Sequence, residues 1–66
     1  MKVREIEKKC KTVEEALEEL EKEYGKFEFV KYNEYEGWSI YYNEKLGYTA
    51  IRKICGNKVE IDVLGC

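Results

Sequence analysis

The side chains with the widest chemical reach in this sequence are three cysteines, Cys10, Cys55 and Cys66. A thiol becomes a nucleophile when a neighbouring base or cation lowers its pKa, and the usual base is histidine. The chain contains no histidine. Cys–His and Ser–His pairs are therefore impossible, as is any zinc site with an imidazole ligand. The cysteines also lack the Cys-x-x-Cys spacing of metal and redox sites. The hairpin pairing derived below puts Cys55 beside a turn and Cys66 at the far end of the same hairpin. About eight residues at ~3.3 Å each separate them, beyond the ~7 Å that a disulfide can span. An internal bridge would have to use Cys10, which we read instead as a small buried hydrophobe with a free thiol. The odd count leaves at least one thiol open to intermolecular oxidation.

The other reactive groups are carboxylates. Those of the N-terminal half lie where a helix would expose them to solvent, which gives no handle for acid–base catalysis. No glycine-rich phosphate loop is present, because Gly37, Gly47 and Gly56 each fall in a hairpin turn. We therefore expect no enzymatic activity, no cofactor, no metal and no catalytic residue.

What remains is an excess of aromatic surface. Six tyrosines, two phenylalanines and one tryptophan all fall between Tyr24 and Tyr48. Aromatic residues suit a pleated surface, and a sheet covered on one side hides about half of them. The rest must face water or a partner.

A chain of 66 residues forms one domain near the lower size limit for a self-sufficient core. Apolar burial contributes roughly 25 cal/mol per Å² against about 1.5 kcal/mol of ordering entropy per residue, so little is left for a strained polar cleft. Glutamine and proline are absent, and glutamate, lysine and tyrosine are abundant. Thermophile proteins share that bias, and so do designed sequences. The net charge of −2 hides a basic stretch from Lys2 to Lys11 followed by an acidic one from Thr12 to Gly25. The acidic block would repel a phosphate backbone, which disfavours nucleic acid as a partner. No apolar run is long enough to cross a membrane and the N-terminus lacks a signal-peptide core, so no membrane association and a cytoplasmic location are expected.

Stepping along the chain, Val3, Ile6, Cys10, Val13, Leu17, Leu20 and Tyr24 recur at alternating spacings of three and four, one stripe of a helix. Thr12-Val13-Glu14-Glu15 interrupts it with a capping box. Continuity would also put the cations at the positive end of the helix and the anions toward its negative end, at ~0.3–1 kcal/mol for each misplaced charge. The spacing predicts a helix from about Val13 to Tyr24, stopped by Gly25. Residues Val3 to Lys11 read either as a helical extension or as an edge strand.

Three hairpins follow. Gly56-Asn57 signals a two-residue turn between Tyr48–Cys55 and Lys58–Leu64. That turn pairs Ile54 with Val59, Lys53 with Glu60, Arg52 with Ile61 and Ala50 with Val63. A three-residue loop, Lys45-Leu46-Gly47, then pairs Tyr42 with Ala50 and Trp38 with Ile54, bringing Trp38, Ile40 and Tyr42 onto the Val59/Ile61/Val63 side. Arg52 becomes the one charged residue of the last hairpin on that side, its stem over apolar atoms and its guanidinium at the rim, or over Tyr42 or Trp38. A four-residue turn, Glu34-Tyr35-Glu36-Gly37, directs Phe27, Phe29 and Lys31 the same way.

The expected fold is α+β: an N-terminal helix on one face of a four-stranded antiparallel meander, with an additional N-terminal edge strand as the alternative. The layout resembles the cystatin-like arrangement of a helix wrapped by a sheet, although the Gln-Val-Val-Ala-Gly inhibitory hairpin of that family is absent. In this register Val30, Tyr32, Tyr41 and Ile51 share the outer face and form the candidate interaction surface. The expectation is a small protein-interaction or self-associating module, its partner an unidentified protein or a second copy. The alternatives are a designed or stability-selected scaffold with no biochemical activity and, more distantly, a single-stranded nucleic-acid binder that stacks bases on Tyr32 and Tyr41.

Overall fold

The computed structural model describes residues 2–65. Two helices, α1 (Lys2–Lys9) and α2 (Val13–Tyr24), precede four strands, β1 (Glu28–Asn33), β2 (Trp38–Asn43), β3 (Gly47–Ile54) and β4 (Lys58–Gly65). The strands form one antiparallel sheet in the order β1-β2-β3-β4. The fold is α+β, as expected, and the N-terminal segment is a second helix, not an edge strand.

The apolar stripe runs through both helices although the backbone breaks between them. Thr12 sits in extended backbone and its hydroxyl accepts the Glu15 N–H at 3.1 Å. Glu15 in turn accepts the Lys11 N–H at 2.8 Å. The break puts Lys8 and Lys9 at the negative end of α1 and Glu14 and Glu15 at the positive end of α2, both favourable. Lys9 then bridges to Glu19 at 2.9 Å, tying one helix to the other. Gly25, at φ 90°, ends α2, and its N–H returns to the Glu21 carbonyl at 2.9 Å. Positive φ is the reason glycine stands there.

The core is formed by Val3, Ile6, Cys10, Ala16, Leu20, Phe27, Ile51, Val59 and Ile61, with Val13, Leu17, Tyr24, Tyr41, Leu46 and Val63 packed around it. All seven residues of the sequence stripe are included. The helices lie on the β3–β4 half of the sheet, α1 against β4 and α2 against β3.

The last hairpin departs from the expected register by one residue. Ile54 pairs with Lys58, Lys53 with Val59, Arg52 with Glu60 and Ile51 with Ile61. Gly56 and Asn57 adopt the positive φ values of a tight turn, 80° and 54°, but Cys55 joins them in it. A slip of one residue exchanges the faces of a strand. Ile51 therefore joins Val59 and Ile61 beneath the helices, and Arg52 finds Glu60 across the ladder, where Lys53 had been expected. In the second hairpin Ile40 pairs with Ala50 and Tyr42 with Tyr48. The loop is again three residues long, displaced to Glu44–Leu46, so the parity between β2 and β3 stands. The consequence is that Trp38, Ile40 and Tyr42 lie on the side away from Ile61, opposite to expectation.

The first hairpin turns through Glu34–Gly37 as expected, with Asn33 paired to Trp38 and Lys31 to Ile40. A bulge at Val30 then shifts the ladder, so that Phe29 meets Tyr41. It resolves the conflict in β1: Phe27 is buried while Lys31 turns to the other side with Ile40.

Candidate functional site

The expected patch of Val30, Tyr32, Tyr41 and Ile51 is not assembled. Ile51 is fully buried, at 0% exposure, and Tyr41 is half-buried against the core. Tyr32 pairs with Ser39, on the helix side of the sheet, and Val30 occupies the bulge. Val30 and Tyr32 are exposed, but they belong to the uncovered β1 margin. The shifted β3–β4 register is the cause.

The open face consists instead of Trp38, Ile40, Tyr42, Tyr48 and Ile54 around a buried Ala50, bordered by Glu28, Lys31, Arg52, Lys58, Glu60 and Asp62. The alternation of β2 puts Trp38, Ile40 and Tyr42 on one side, and their partners Ala50 and Tyr48 continue the surface across β3. Tyr42 and Tyr48 are 38% and 42% exposed, and their rings meet edge to face with centroids 5.2 Å apart. That geometry suits the ring quadrupoles and holds both rings in place. Leu64 stands 57% exposed at the end of β4.

Arg52 organises the other end of this face. Its Nε and Nη2 both lie 2.8 Å from Glu60 Oε1, and its Nη1 donates to the Glu36 carbonyl at 3.3 Å. Its guanidinium carbon sits 4.4 Å from the centroid of the Trp38 ring. The indole N–H donates to Glu36 Oε1 at 3.2 Å. Of the placements open to Arg52 in the sequence, the structure shows the one over Trp38, and on the open side of the sheet instead of the core side. These contacts fix the Trp38 ring between Arg52 and Glu36, a preorganised aromatic surface of the kind that binds at low entropic cost.

Two asparagines missed in the sequence analysis position the strands that carry this face. Asn43 is buried, and its amide donates to the carbonyls of Tyr24, Gly25 and Lys26 at 3.1, 3.4 and 2.9 Å. Its Oδ1 accepts the N–H groups of Lys45 and Leu46 at 2.8 and 2.9 Å. One side chain thereby satisfies the end of α2 and shapes the β2–β3 turn. Asn33 does half of the same work, accepting from Tyr35 and Glu36 at 3.0 and 3.3 Å. The signal was available as a ten-residue repeat, Tyr32-Asn33-Glu34-x-x-Gly37-Trp38 and Tyr42-Asn43-Glu44-x-x-Gly47-Tyr48.

Among the described residues Cys10 and Cys55 are free thiols, Cys10 buried and Cys55 exposed. Burial pushes the Cys10 thiol above its ordinary value, and Glu15 and Glu19 add to the rise. The expectation for Cys66 lies outside the described residues. A groove of about 510 Å³ between α1 and β4 is lined by Arg4, Glu7, Lys8, Ile54, Lys58, Val59 and Glu60. Its carboxylates are already engaged, Glu7 by Arg4 and by the Ile61 N–H, Glu60 by Arg52. No described group of three or more histidine, cysteine or acidic residues could hold a metal ion. No described helix is long and apolar enough to cross a membrane.

No family model matches the chain, and no curated protein or solved structure matches it either.

Proposed function

We propose that the chain is a protein-interaction module whose binding surface is the open sheet face of Trp38, Ile40, Tyr42, Tyr48 and Ile54. The supporting observation is the placement of half-exposed aromatic rings, fixed by their neighbours, on a face that neither helix covers. Aromatic residues with an arginine beside them are the side chains most enriched at binding hot spots. The rim alternates Lys31 and Arg52 with Glu28, Glu60 and Asp62, which favours a protein surface of mixed charge over a uniformly negative nucleic-acid backbone.

Sedimentation of the protein in reducing buffer tests this reading, because a second copy is a partner present in every sample. Concentration-dependent association is expected up to ~1 mM, the range in which weak complexes dissociate. The double substitution Tyr42→Ser/Tyr48→Ser should weaken it while leaving the fold intact. A wild-type chain that stays monomeric and a double variant that behaves identically would count against the face. They would favour the competing reading, a scaffold selected for stability alone. The complete satisfaction of buried polar side chains among the described residues speaks for that alternative.

A further inference from the structure

The two edges of the sheet are treated differently. At β4, Glu7 Oε2 accepts the Ile61 N–H at 2.8 Å and Arg4 Nη1 donates to the Ile61 carbonyl at 3.3 Å. Helix α1 thus engages both outward backbone groups of Ile61 in the middle of that edge. At β1, among the described residues, no side chain bonds the outward backbone of Glu28 to Tyr32. Phe29, Val30 and Tyr32 are 62%, 44% and 57% exposed there. An uncapped edge with exposed apolar side chains is a template for another strand.

We propose that β1 pairs antiparallel with β1 of a second copy, joining two sheets edge to edge and merging their open faces. This rests on reading the chain as an interaction module, and it names the partner. The charges select the geometry. The Val30 bulge brings Glu28, paired with Tyr42, and Lys31, paired with Ile40, onto the same open face. In a regular strand residues three apart point to opposite faces. A two-fold axis between Phe29 and Val30 sets Glu28 of each copy directly across from Lys31 of the other. A lone lysine on an edge ordinarily deters pairing; here its charge is matched twice, and so favours this register over its neighbours. The exposed Phe29 and Val30 side chains flank the axis and are covered by the second copy.

A charge-swap experiment tests the pairing. Sedimentation equilibrium in reducing buffer, which excludes disulfides through Cys55, should show a wild-type dimer. Glu28→Lys and Lys31→Glu should each weaken dimerisation about tenfold or more, because two attractive pairs become two repulsive ones. Both residues are exposed, so each variant should keep the wild-type circular dichroism spectrum, and its melt should differ from wild type only by the lost dimer stabilisation. An equimolar mixture of the two should recover wild-type affinity, since every cross-copy pair is then opposite in charge. A monomeric wild type, unaffected single variants, or a mixture no tighter than its components would each overturn the edge pairing. Association that survives both reversals but disappears with Tyr42→Ser/Tyr48→Ser would overturn it as well, while leaving the open-face reading in place.

Discussion

Asn43 links the helical layer to the hairpins more than any other single side chain. Its amide nitrogen faces three carbonyls at the negative end of α2. Asn43→Asp keeps the acceptor for the turn but replaces the donor with an anion at that end. A loss of about 2–3 kcal/mol is expected from urea denaturation, combining unsatisfied carbonyls with an unfavourable dipole interaction. A change under ~0.5 kcal/mol would contradict this role. The cysteines offer a second check at this scale. With its thiol buried and its pKa raised, Cys10 should resist alkylation in the native protein while Cys55 reacts. The same shift has a consequence at high pH. The native state holds the Cys10 proton more tightly than the unfolded chain, so that contribution to stability is complete below the ordinary thiol value and fades as pH rises through the native one. Tyr41, raised first by burial and then by Glu14, adds a loss of the same sign at higher pH. Thermal melts should therefore fall progressively above about pH 9. A flat alkaline profile would contradict it. Arg52 over Trp38 was only partly legible, because a solvated rim or a place over Tyr42 satisfied the same pattern. The role of Asn43 was not, because an asparagine before a turn reveals the turn it shapes but not the distant helix end it caps.

Helix α2 was legible in nearly every detail, since its start, stripe and stop are all written locally. Thr12 caps it, Glu15 answers, and Gly25 ends it. Thr12→Ala should cost about 1 kcal/mol, measured by denaturation. The β3–β4 hairpin was not legible. Two registers one residue apart satisfy the same local rules: Lys53 or Arg52 can face Glu60, and Ile54 or Ile51 can join Val59 and Ile61. What separates them is tertiary. The helices pack chiefly on β3 and β4, where Ile51 joins Leu20, Val59 and Ile61 in one core, and Tyr41 fills the β2 position beside it. Helix α1 carries a further role that no local pattern announces, the hydrogen bonding of the β4 edge at Ile61. Glu7→Ala should leave the Ile61 N–H unpaired, lowering stability by about 1–2 kcal/mol and accelerating exchange of that amide. Unchanged Ile61 exchange would show that the contact does not protect the edge.

For the whole molecule, the decisive property is asymmetry. One face of the sheet holds an aliphatic core under two helices, and the other presents tyrosines, a tryptophan and an arginine-centred cluster. Helix α1 bonds the β4 edge at Ile61, and no described side chain bonds the β1 edge from Glu28 to Tyr32. The fold class followed from the order of helical and strand patterns. Which face would remain open did not, because a single residue in the last turn inverts three strands relative to the helices. The aromatic surplus itself survives that inversion, since one set must lie outside in either register. The most direct test is amide line broadening as protein concentration is raised in reducing buffer. Broadening should begin at Tyr42, Tyr48 and Ala50 and along β1 while α1 and α2 stay sharp. Broadening confined to the helices, or none at any concentration, would contradict an interaction surface on the open half of the sheet.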